Sequence, residues 1–435
     1  MPEPGSVLIV GAGTFGASTA YHLSLTHPSP SQIMLLDRTP LPPRPAASTD
    51  INKIVREDYS SAFYMALAVE AMQAWLTMSC LRNEVGERLF KRTGWVAVSK
   101  KGSDVARRIR ENFGKRGVTN AEDVDLEQEI RERWSMVFGE SDLSAMESAY
   151  FNPNPGIADA GVALEKMARE AMDRGVRFAV GDAVELVLED GKAIGVRTLD
   201  GIVHKAEKII LATGAWTSAL MASTEDKLDL PDSLRVESQV VAAGVCVVHY
   251  KLEDVEYEEL KNMPVVIFGE SGDLQPPPAR SRLLKFTNAV SFTNTVTTAS
   301  GRKISAPPTR DQGIVGEKLK KETIETHVRK VMPRFADRKV EYWRLCWDSI
   351  APKQDHVICR HPDERLSNVY FAIGGSFHSY KFLPVIGKYV SNVVQGVSNG
   401  EERHKAWSWK MGNGGGRGAH EKAIPRRELC QVECE

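Results

Sequence analysis

Gly11, Gly13 and Gly16 stand in the pattern Gly-x-Gly-x-x-Gly, directly after the apolar run Val7–Val10. In such a pattern the first glycine makes a tight turn, the second lets the backbone approach a pyrophosphate, and the third permits close packing of a helix on a strand. The helix that follows offers free N–H groups to an anion. Asp37 comes 21 residues after Gly16, close to the ~20-residue spacing of a carboxylate that binds a ribose hydroxyl. The pattern therefore indicates a dinucleotide site.

Two later apolar runs also end on glycines, at residues 209–214 and 369–375. A fold that binds NAD would place its second half-sheet soon after the first, whereas here distant stretches of chain return to one cofactor. The pattern favours FAD over NAD, and the carboxylate of Asp37 disfavours the 2′-phosphate of NADP. It predicts an α/β fold with a Rossmann-like domain.

Composition and charge exclude several classes of protein. The chain has 435 residues with 42% hydrophobic and 26% charged side chains, and 56 Lys and Arg against 57 Asp and Glu leave a net charge of −1. This balance predicts neither a nucleic-acid nor a membrane partner. The longest apolar run, residues 240–248, is far shorter than the roughly 20 residues that a membrane-spanning helix needs. None of the six cysteines forms a Cys-x-x-Cys pair, so we expect no metal site.

Apolar periodicity supplies the elements that must position the motifs. It predicts strands at residues 7–10, 33–36, 176–180, 183–188, 193–198 and 209–212, and helices at 17–25, 59–75, 162–173 and from about 384. Residues 100–148 are highly charged and mostly helical in pattern. Strands dominate residues 238–297, interrupted by a predicted loop at 271–278.

With these pieces assembled, the chain resembles flavin-dependent amine oxidases of the D-amino-acid-oxidase superfamily, in the branch of monomeric sarcosine oxidase, fructosyl amino acid oxidase, pipecolate oxidase and saccharopine oxidase. The resemblance covers about residues 6–395. Its markers are Ala-Ser-Thr-Asp-Ile-Asn-Lys-Ile-Val-Arg at 47–56, Ala-Thr-Gly-Ala-Trp at 212–216, Cys-Trp-Asp at 346–348 and Lys-Phe-Leu-Pro-Val-Ile-Gly-Lys at 381–388. Four markers in the family's order are far more specific than any one of them.

The resemblance implies a Rossmann-like FAD-binding domain interleaved with a β-sheet-rich substrate domain. We expect residues 1–90, 150–225 and 347–400 to form the FAD-binding domain and residues 91–149 and 226–346 to form the substrate domain. The glycine-rich stretch near residue 414 predicts that residues 406–435 are a disordered tail.

The same resemblance assigns a covalent bond between the cofactor and Cys346, since the matching cysteine of this branch is bonded through sulfur to the flavin 8α-methyl group. Such a bond requires a thiolate, which a nearby cation stabilises. Arg344 is the nearest cation in sequence. By spacing alone, Cys346 would be taken for an inert packed thiol.

Further cofactor contacts follow from the glycine motif and from the matching family positions. The residues expected to bind FAD are Gly11, Gly13, Thr14, Phe15, Gly16, Asp37, Arg38, Ser48, Thr49, Val184, Gly214, Trp216, Cys346, Gly375 and Lys381.

Basic residues of the markers are expected to serve the substrate. Lys53 and Arg56 match a basic pair near the flavin and the substrate carboxylate, and Lys381 matches a lysine that binds this carboxylate from the other side. His378 is a further expected substrate contact. It lies in Ser-Phe-His-Ser-Tyr at 376–380, where the family more often has Gly-His-Gly-Phe, so Phe377 and Ser379 predict a bulkier pocket wall.

Lys285 aligns with the lysine that assists oxygen reduction in sarcosine-oxidase-like enzymes; without the resemblance it would be read as a solvent-facing residue of an edge strand. Fructosyl amino acid oxidases carry acidic residues just after this lysine, and these contact the sugar. Here residues 287–289 are Thr-Asn-Ala, which disfavours sugar recognition.

The implied reaction is hydride loss from the carbon next to a neutral amine, which gives an imine, with dioxygen reduced to hydrogen peroxide. The leading hypothesis is an FAD-dependent oxidase of an amino acid with a secondary or N-methylated amine. The alternatives are a fructosyl amino acid oxidase, a biosynthetic oxidase whose iminium is trapped by cyclisation, and a non-catalytic nucleotide-binding redox regulator. We expect a monomer. We expect it in the cytoplasm, because the last three residues are not the peroxisomal tripeptide.

Overall fold

The strand that precedes the glycine motif lies in the middle of a mainly parallel sheet. The computed structural model describes residues 2–44, 46–117, 120–269, 271–412 and 427–433. Its six-stranded sheet has the order Val357–Arg360, Val369–Ile373, Lys208–Leu211, Val7–Val10, Ile33–Asp37, Arg177–Val180. Every neighbouring pair is parallel except the first. Since Val7–Val10 is covered on both faces, it is apolar throughout.

Helices cover this sheet by close approach of their backbones. Helix Thr14–Thr26 packs between helices Ile386–Gln395 and Ala160–Asp173. A Cβ on Gly387 would lie 2.1 Å from the backbone of Ser18, so only glycine allows the first of these contacts. The carboxyl ends of the parallel strands consequently meet beside the start of Thr14–Thr26, the edge at which open α/β sheets bind ligands.

The second large sheet is mostly antiparallel and has eight strands. Its order is Tyr342–Ile350, Val241–Lys251, Leu283–Phe292, Gly272–Gln275, Val265–Phe268, Trp95–Lys100, Met146–Asn152, Glu122–Val124. Only Val265–Phe268 and Trp95–Lys100 pair in parallel. The strands of the two large sheets come from alternating stretches of the chain, and we propose the interleaved domain division on that basis.

Smaller sheets and further helices complete the described residues. The sheets are Lys53–Val55, Gly156–Ala158 and Phe90–Arg92; Ala183–Glu189, Lys192–Thr198 and Val203–Lys205; and Thr295–Thr297 with Lys303–Ser305. The remaining α-helices are Ala62–Thr77, Val105–Lys115, Glu129–Arg133, Ser135–Phe138, Thr217–Lys227, Asp254–Leu260, Glu317–Thr323, Arg329–Val331, Glu401–Trp407 and Leu429–Glu433. A π-helical turn spans Ile324–Val328. Among the described residues, no helix has the length and apolar character to cross a bilayer.

Two local predictions were wrong. Residues 100–148 contain the strands Glu122–Val124 and Met146–Asn152. Exposed charged residues in these strands obscure the alternation of apolar and polar residues by which a strand is recognised. The predicted loop at 271–278 contains the strand Gly272–Gln275, which pairs on both sides. Its neighbours thus override a weak local pattern.

The predicted tail is also partly packed. Trp407 and Trp409 are buried, as are Leu429 and Val432 of the last helix. Glu433 accepts hydrogen bonds from Arg310 and from the backbone of Gly316. The burial of these apolar side chains explains why parts of residues 406–435 are packed, although the glycine-rich stretch near residue 414 predicts a disordered tail. Residues 413–426 and 434–435 lie outside the described residues.

Candidate active site

A cavity of about 620 Å³ opens at the carboxyl edge of the six-stranded sheet. It is large enough for an extended cofactor, since ligand pockets commonly enclose about 300–1,000 Å³. Many of the predicted cofactor residues line it, from strands and loops far apart in sequence. These are Gly11, Gly13, Thr14, Phe15, Asp37, Arg38, Ser48, Val184, Gly214, Trp216, Cys346 and Gly375, together with the predicted catalytic residue Lys53.

The glycine loop has the geometry that its sequence predicts. Gly11 has a φ of +99°, and a Cβ there would lie 2.5 Å from the carbonyl oxygen of Ala212. A Cβ on Gly16 would lie 1.7 Å from the carbonyl oxygen of Gly11, so this glycine serves helix packing and does not line the cavity. The N-cap residue Gly13 has no capping side chain, and the first turn carries no acidic residue. The N–H of Thr14 donates to the hydroxyl of Ser48 at 2.8 Å. This helix start is therefore suited to a pyrophosphate.

Asp37 lines the cavity at the carboxyl end of its strand. Its carboxylate accepts hydrogen bonds from the backbone N–H groups of Ala12 and Thr39 at 2.7 and 3.2 Å. Burial raises its pKa, against the opposing effect of these hydrogen bonds. Nearby, Arg38 stacks over Trp216 with 4.9 Å between its guanidinium carbon and the ring centroid, and pairs with Asp182 at 3.1 Å. Carboxylate, guanidinium and indole together suit a ribose and its base.

Cys346 also lines the cavity. It is 4% exposed and lies opposite Val245 on the neighbouring strand. The guanidinium of Arg344 is engaged elsewhere, because it donates to the carbonyl oxygens of Ala46 and Thr49. Lys53 lines the cavity together with the cysteine. Burial lowers the pKa of Lys53, but the charges of a Cys346 thiolate and of a neighbouring carboxylate outweigh this effect and raise it.

Phe377 forms part of the cavity wall with a backbone that usually needs glycine. Its φ is +59° and that of Ser376 is +48°, a conformation that costs a non-glycine residue about 1–3 kcal/mol. The N–H of Phe377 donates to the carboxylate of Asp348 at 2.8 Å, and its ring packs in an apolar cluster with Cys346. The predicted bulkier wall is thus present at Phe377, beside the cysteine.

The structure brings two predicted substrate cations together on one tyrosine. Arg56 lies with its guanidinium carbon 4.6 Å from the ring centroid of Tyr59, and Lys381 donates to the Tyr59 hydroxyl at 3.0 Å. Both cations are buried, 8% and 4% exposed. Burial and then the charge of Arg56 hold the pKa of Lys381 well below its usual value.

His378 is less suited to contact substrate than predicted. Its Nδ1 bonds the Tyr59 hydroxyl at 2.9 Å and its Nε2 bonds the carbonyl oxygen of Gln354 at 2.8 Å. Because both ring nitrogens have protein partners, the ring orients Tyr59. Thr49 differs from its prediction in a similar way, since its hydroxyl donates to the carbonyl oxygen of Pro43 at 2.7 Å. The residues set back from the cavity are Gly16, Thr49, Arg56, Lys285, His378 and Lys381.

An acidic pair follows Arg56 and is buried with it. Asp58 accepts hydrogen bonds from the Tyr150 hydroxyl at 2.9 Å and the Asn152 amide at 3.1 Å. Burial and the charge of the adjoining Glu57 raise the pKa of Asp58 to about 7. The sequence analysis predicted no role for Glu57 or Asp58, because nothing local shows that these charges are buried.

Lys285 lies deep in the eight-stranded sheet and is 1% exposed. Its ammonium donates to the carbonyl oxygen of Asn52 at 2.7 Å and to Asp50 at 3.1 Å. Burial lowers the pKa of Lys285 to about 8. The lysine is therefore not the solvent-facing edge residue that its strand position suggests. Asp50 was part of a recognised motif, yet sequence reasoning assigned it no role.

Comparison with known proteins agrees with this geometry. The model of the family described as DAO, FAD dependent oxidoreductase, matches residues 6–393. The chain is 29% identical to L-saccharopine oxidase of Schizosaccharomyces pombe over 93% of each chain. It is 22% identical to monomeric sarcosine oxidase of a Bacillus species over 92% of this chain and 94% of that protein. The structure of fructosyl peptide oxidase from E. terrenum superposes with a TM-score of 0.82 at 25% identity, over 99% of this chain and 97% of that one.

The match spans both large sheets and the cavity that Asp37 and Cys346 line. The helix start without acidic residues, the close-packed glycines and the carboxylate of Asp37 fit FAD. The chain belongs to the family of FAD dependent oxidoreductases and is a flavoenzyme of mixed α/β fold.

Proposed function

We propose that the protein is an oxidase of amino acids that carry a secondary or N-methylated amine, with dioxygen as the acceptor. The observation that carries this proposal is the meeting of Arg56 and Lys381 on Tyr59, two cations from distant stretches of chain. Charge-assisted hydrogen bonds from a guanidinium and an ammonium are contacts that bind a carboxylate strongly. A carboxylate on the substrate is the anion that an amino acid supplies.

Cys346 is proposed as the covalent attachment point of FAD. In support, the thiol lines the same cavity as Asp37 and the glycine loop, and Lys53 lines it too. A lysine ammonium favours the thiolate that such a bond requires. Ser48 and the backbone N–H groups at the start of helix Thr14–Thr26 would hold the phosphates, and Asp37 a ribose hydroxyl.

Bound FAD would accept a hydride from the carbon next to the amine and pass both electrons to dioxygen, giving imine and hydrogen peroxide. The residues of this chain would prepare the substrate for that step. Arg56 can offer a planar bidentate fork to the carboxylate, whereas Lys381 supplies a point charge. Their positive charges would also lower the pKa of the substrate ammonium and so favour the neutral amine that reacts. Lys285 is proposed to assist the reduction of dioxygen.

A deglycating activity is the second candidate, since the superposed fructosyl peptide oxidase has this fold over nearly the whole chain. Against it, the residues after Lys285 carry no acid, and the Asn288 side chain there is buried and donates to Thr323 at 3.3 Å. Trapping of the iminium by cyclisation stays a third possibility. Membership of the enzyme family replaces the hypothesis of a non-catalytic redox regulator.

A panel of amines tests the proposal. Purified protein is mixed anaerobically with saccharopine, sarcosine, pipecolate and fructosyl-valine, and loss of the flavin absorbance is followed. We expect bleaching with at least one secondary-amine acid and peroxide once air is admitted. Product mass then separates hydrolysis of the imine from cyclisation. Bleaching by the fructosyl compound alone would establish the deglycating activity instead. The monomeric state and the cytoplasmic location stay predictions, to be checked by light scattering and by fractionation.

A further inference from the structure

A single buried carboxylate, that of Asp50, lies near three cationic side chains and one histidine, which come from four strands. Its side chain is 2% exposed. One carboxylate oxygen lies 3.1 Å from the ammonium of Lys53 and 3.1 Å from that of Lys285, and 3.8 Å from the guanidinium of Arg344. The other oxygen lies 3.7 Å from Nε2 of His249. A carboxylate so far from solvent persists only if its partners replace the lost water.

The charges around Asp50 settle how it is ionised. Burial favours the neutral acid, yet the charges of Lys285 and Lys53 and the nearby His249 ring hold its pKa well below the usual value. Burial lowers the pKa of His249, so that ring is a neutral partner. The site is thus one carboxylate shared between two ammonium groups, with a guanidinium at longer range.

Lys285 depends on this carboxylate more than Lys53 does. Lys53 lines the cavity, whereas Lys285 is enclosed, with Asp50 and the carbonyl oxygen of Asn52 as its hydrogen-bond acceptors among the described residues. The charges that face Lys285 are Asp50, Lys53 and Asp273; the first and last favour its ammonium form and Lys53 opposes it. Asp50 is the nearest of these carboxylates.

We propose that Asp50 is a positioning residue of the oxidase, which holds Lys285 and Lys53 in place and keeps the Lys285 amine charged for the reaction with dioxygen. This inference rests on the proposed function of Lys285. It goes further by making the two lysines compete for one carboxylate. The charge on Lys285 should therefore respond both to loss of Asp50 and to loss of Lys53, in opposite directions.

The test compares Asp50→Asn, Lys285→Met and the double variant by stopped-flow reoxidation of reduced flavin at pH 7. Lys285→Met should slow reoxidation by about 10²-fold, the scale of one lost electrostatic group at a reacting centre. Asp50→Asn should slow it by about twofold or more, because a smaller fraction of Lys285 is then charged at pH 7. The double variant should be no slower than Lys285→Met, because Asp50 acts through that lysine. Glu225→Gln is the matched control: this buried carboxylate pairs with Arg302 at 3.0 Å and does not line the cavity, so reoxidation should be unchanged.

The pH profile separates charge from mere support of the fold. Asp50→Asn removes a carboxylate within hydrogen-bond distance of Lys285. In this variant the inflection of the reoxidation rate against pH should move to lower pH by about one unit or more. Asp50→Glu restores the charge and should move it back. Lys53→Met removes the competing cation and should move the inflection up, which tests the shared carboxylate even if Asp50→Asn does not fold. Thermal unfolding gives a readout without turnover, since Asp50→Asn should lower Tm less when Lys285 is already Met.

The outcomes distinguish the proposed role of Asp50 from the proposed role of Lys285 on which it rests. If Lys285→Met is slow while Asp50→Asn resembles the wild type, or the two losses multiply, Asp50 does not act through Lys285. An inflection that stays in place in Lys53→Met refutes the shared carboxylate. If Lys285→Met itself reoxidises normally, the oxygen role of the lysine is wrong and that of Asp50 with it. The amine panel is independent of both and would still stand.

Discussion

Reoxidation of the flavin should become slower as pH rises, because the charge on Lys285 is lost in the ordinary working range. An unperturbed lysine has a pKa near 10.4 and stays charged to pH 9. Burial of Lys285 lowers its pKa to about 8. If the charged form alone assists dioxygen, the activity of this step is present below pH 8 and disappears above it.

The magnitude follows from that pKa. About nine-tenths of Lys285 is protonated at pH 7 and about one-tenth at pH 9. The rate constant of reoxidation should therefore fall roughly tenfold between these values, and further at higher pH until it reaches the rate of an uncharged site. That lower limit should lie about 10²–10³-fold below the maximum, by analogy with loss of one group that stabilises a developing anion.

The assay is stopped-flow mixing of substrate-reduced enzyme with oxygenated buffer from pH 6 to 10. Lys285→Met should be slow and independent of pH, and Lys285→Arg should keep its charge throughout and lose the inflection. Lys208→Met is the matched control, since this part-buried lysine donates to the carbonyl oxygen of Val394 at 2.9 Å outside the cavity. A wild-type profile that is flat, or an inflection that survives in Lys285→Met, would refute the reasoning.

Four further outcomes are expected. Wild-type protein should stay yellow after acid precipitation, whereas Cys346→Ala should release flavin to the supernatant; equal release from both removes the covalent assignment. Arg56→Met should lower kcat/KM about 10²-fold, the effect of losing about 1.5–3 kcal/mol of charge-assisted bonding, and much less for a decarboxylated substrate; equal losses contradict the carboxylate clamp. Gly11→Ala should abolish FAD retention, because its Cβ would lie 2.5 Å from a backbone oxygen; normal flavin content would show that the loop adapts. Burial raises the pKa of Asp58 to about 7, so the stability that its neutral form contributes is lost as pH rises from about 4 to 7, and Asp58→Asn should gain Tm relative to wild type over that interval; a constant difference in Tm contradicts it.

Local patterns predicted much of the sheet that carries the cofactor cavity. Strands Val7–Val10 and Ile33–Asp37 were predicted within a residue, because parallel strands covered on both faces are apolar throughout. Predictions at 100–148 and 271–278 were wrong, because edge strands and short hairpins depend on partners far along the chain. The pairing partners of such strands cannot be recognised from the residues of the strands themselves.

The sequence by itself determined the glycine loop, Asp37 and the family markers, because a tight turn and a close backbone approach allow only glycine and therefore appear as residue types at fixed spacing. Only the tertiary structure decided which charges are buried and which of them meet. Arg344 adjoins Cys346 in sequence but serves the loop at residues 46–49, while Lys53 shares the cavity with the cysteine. Asp50 pairs with Lys285 across 235 residues. Burial and charge pairing depend on the whole surroundings of a group in three dimensions, and the order of residues along a chain does not contain that information in local form.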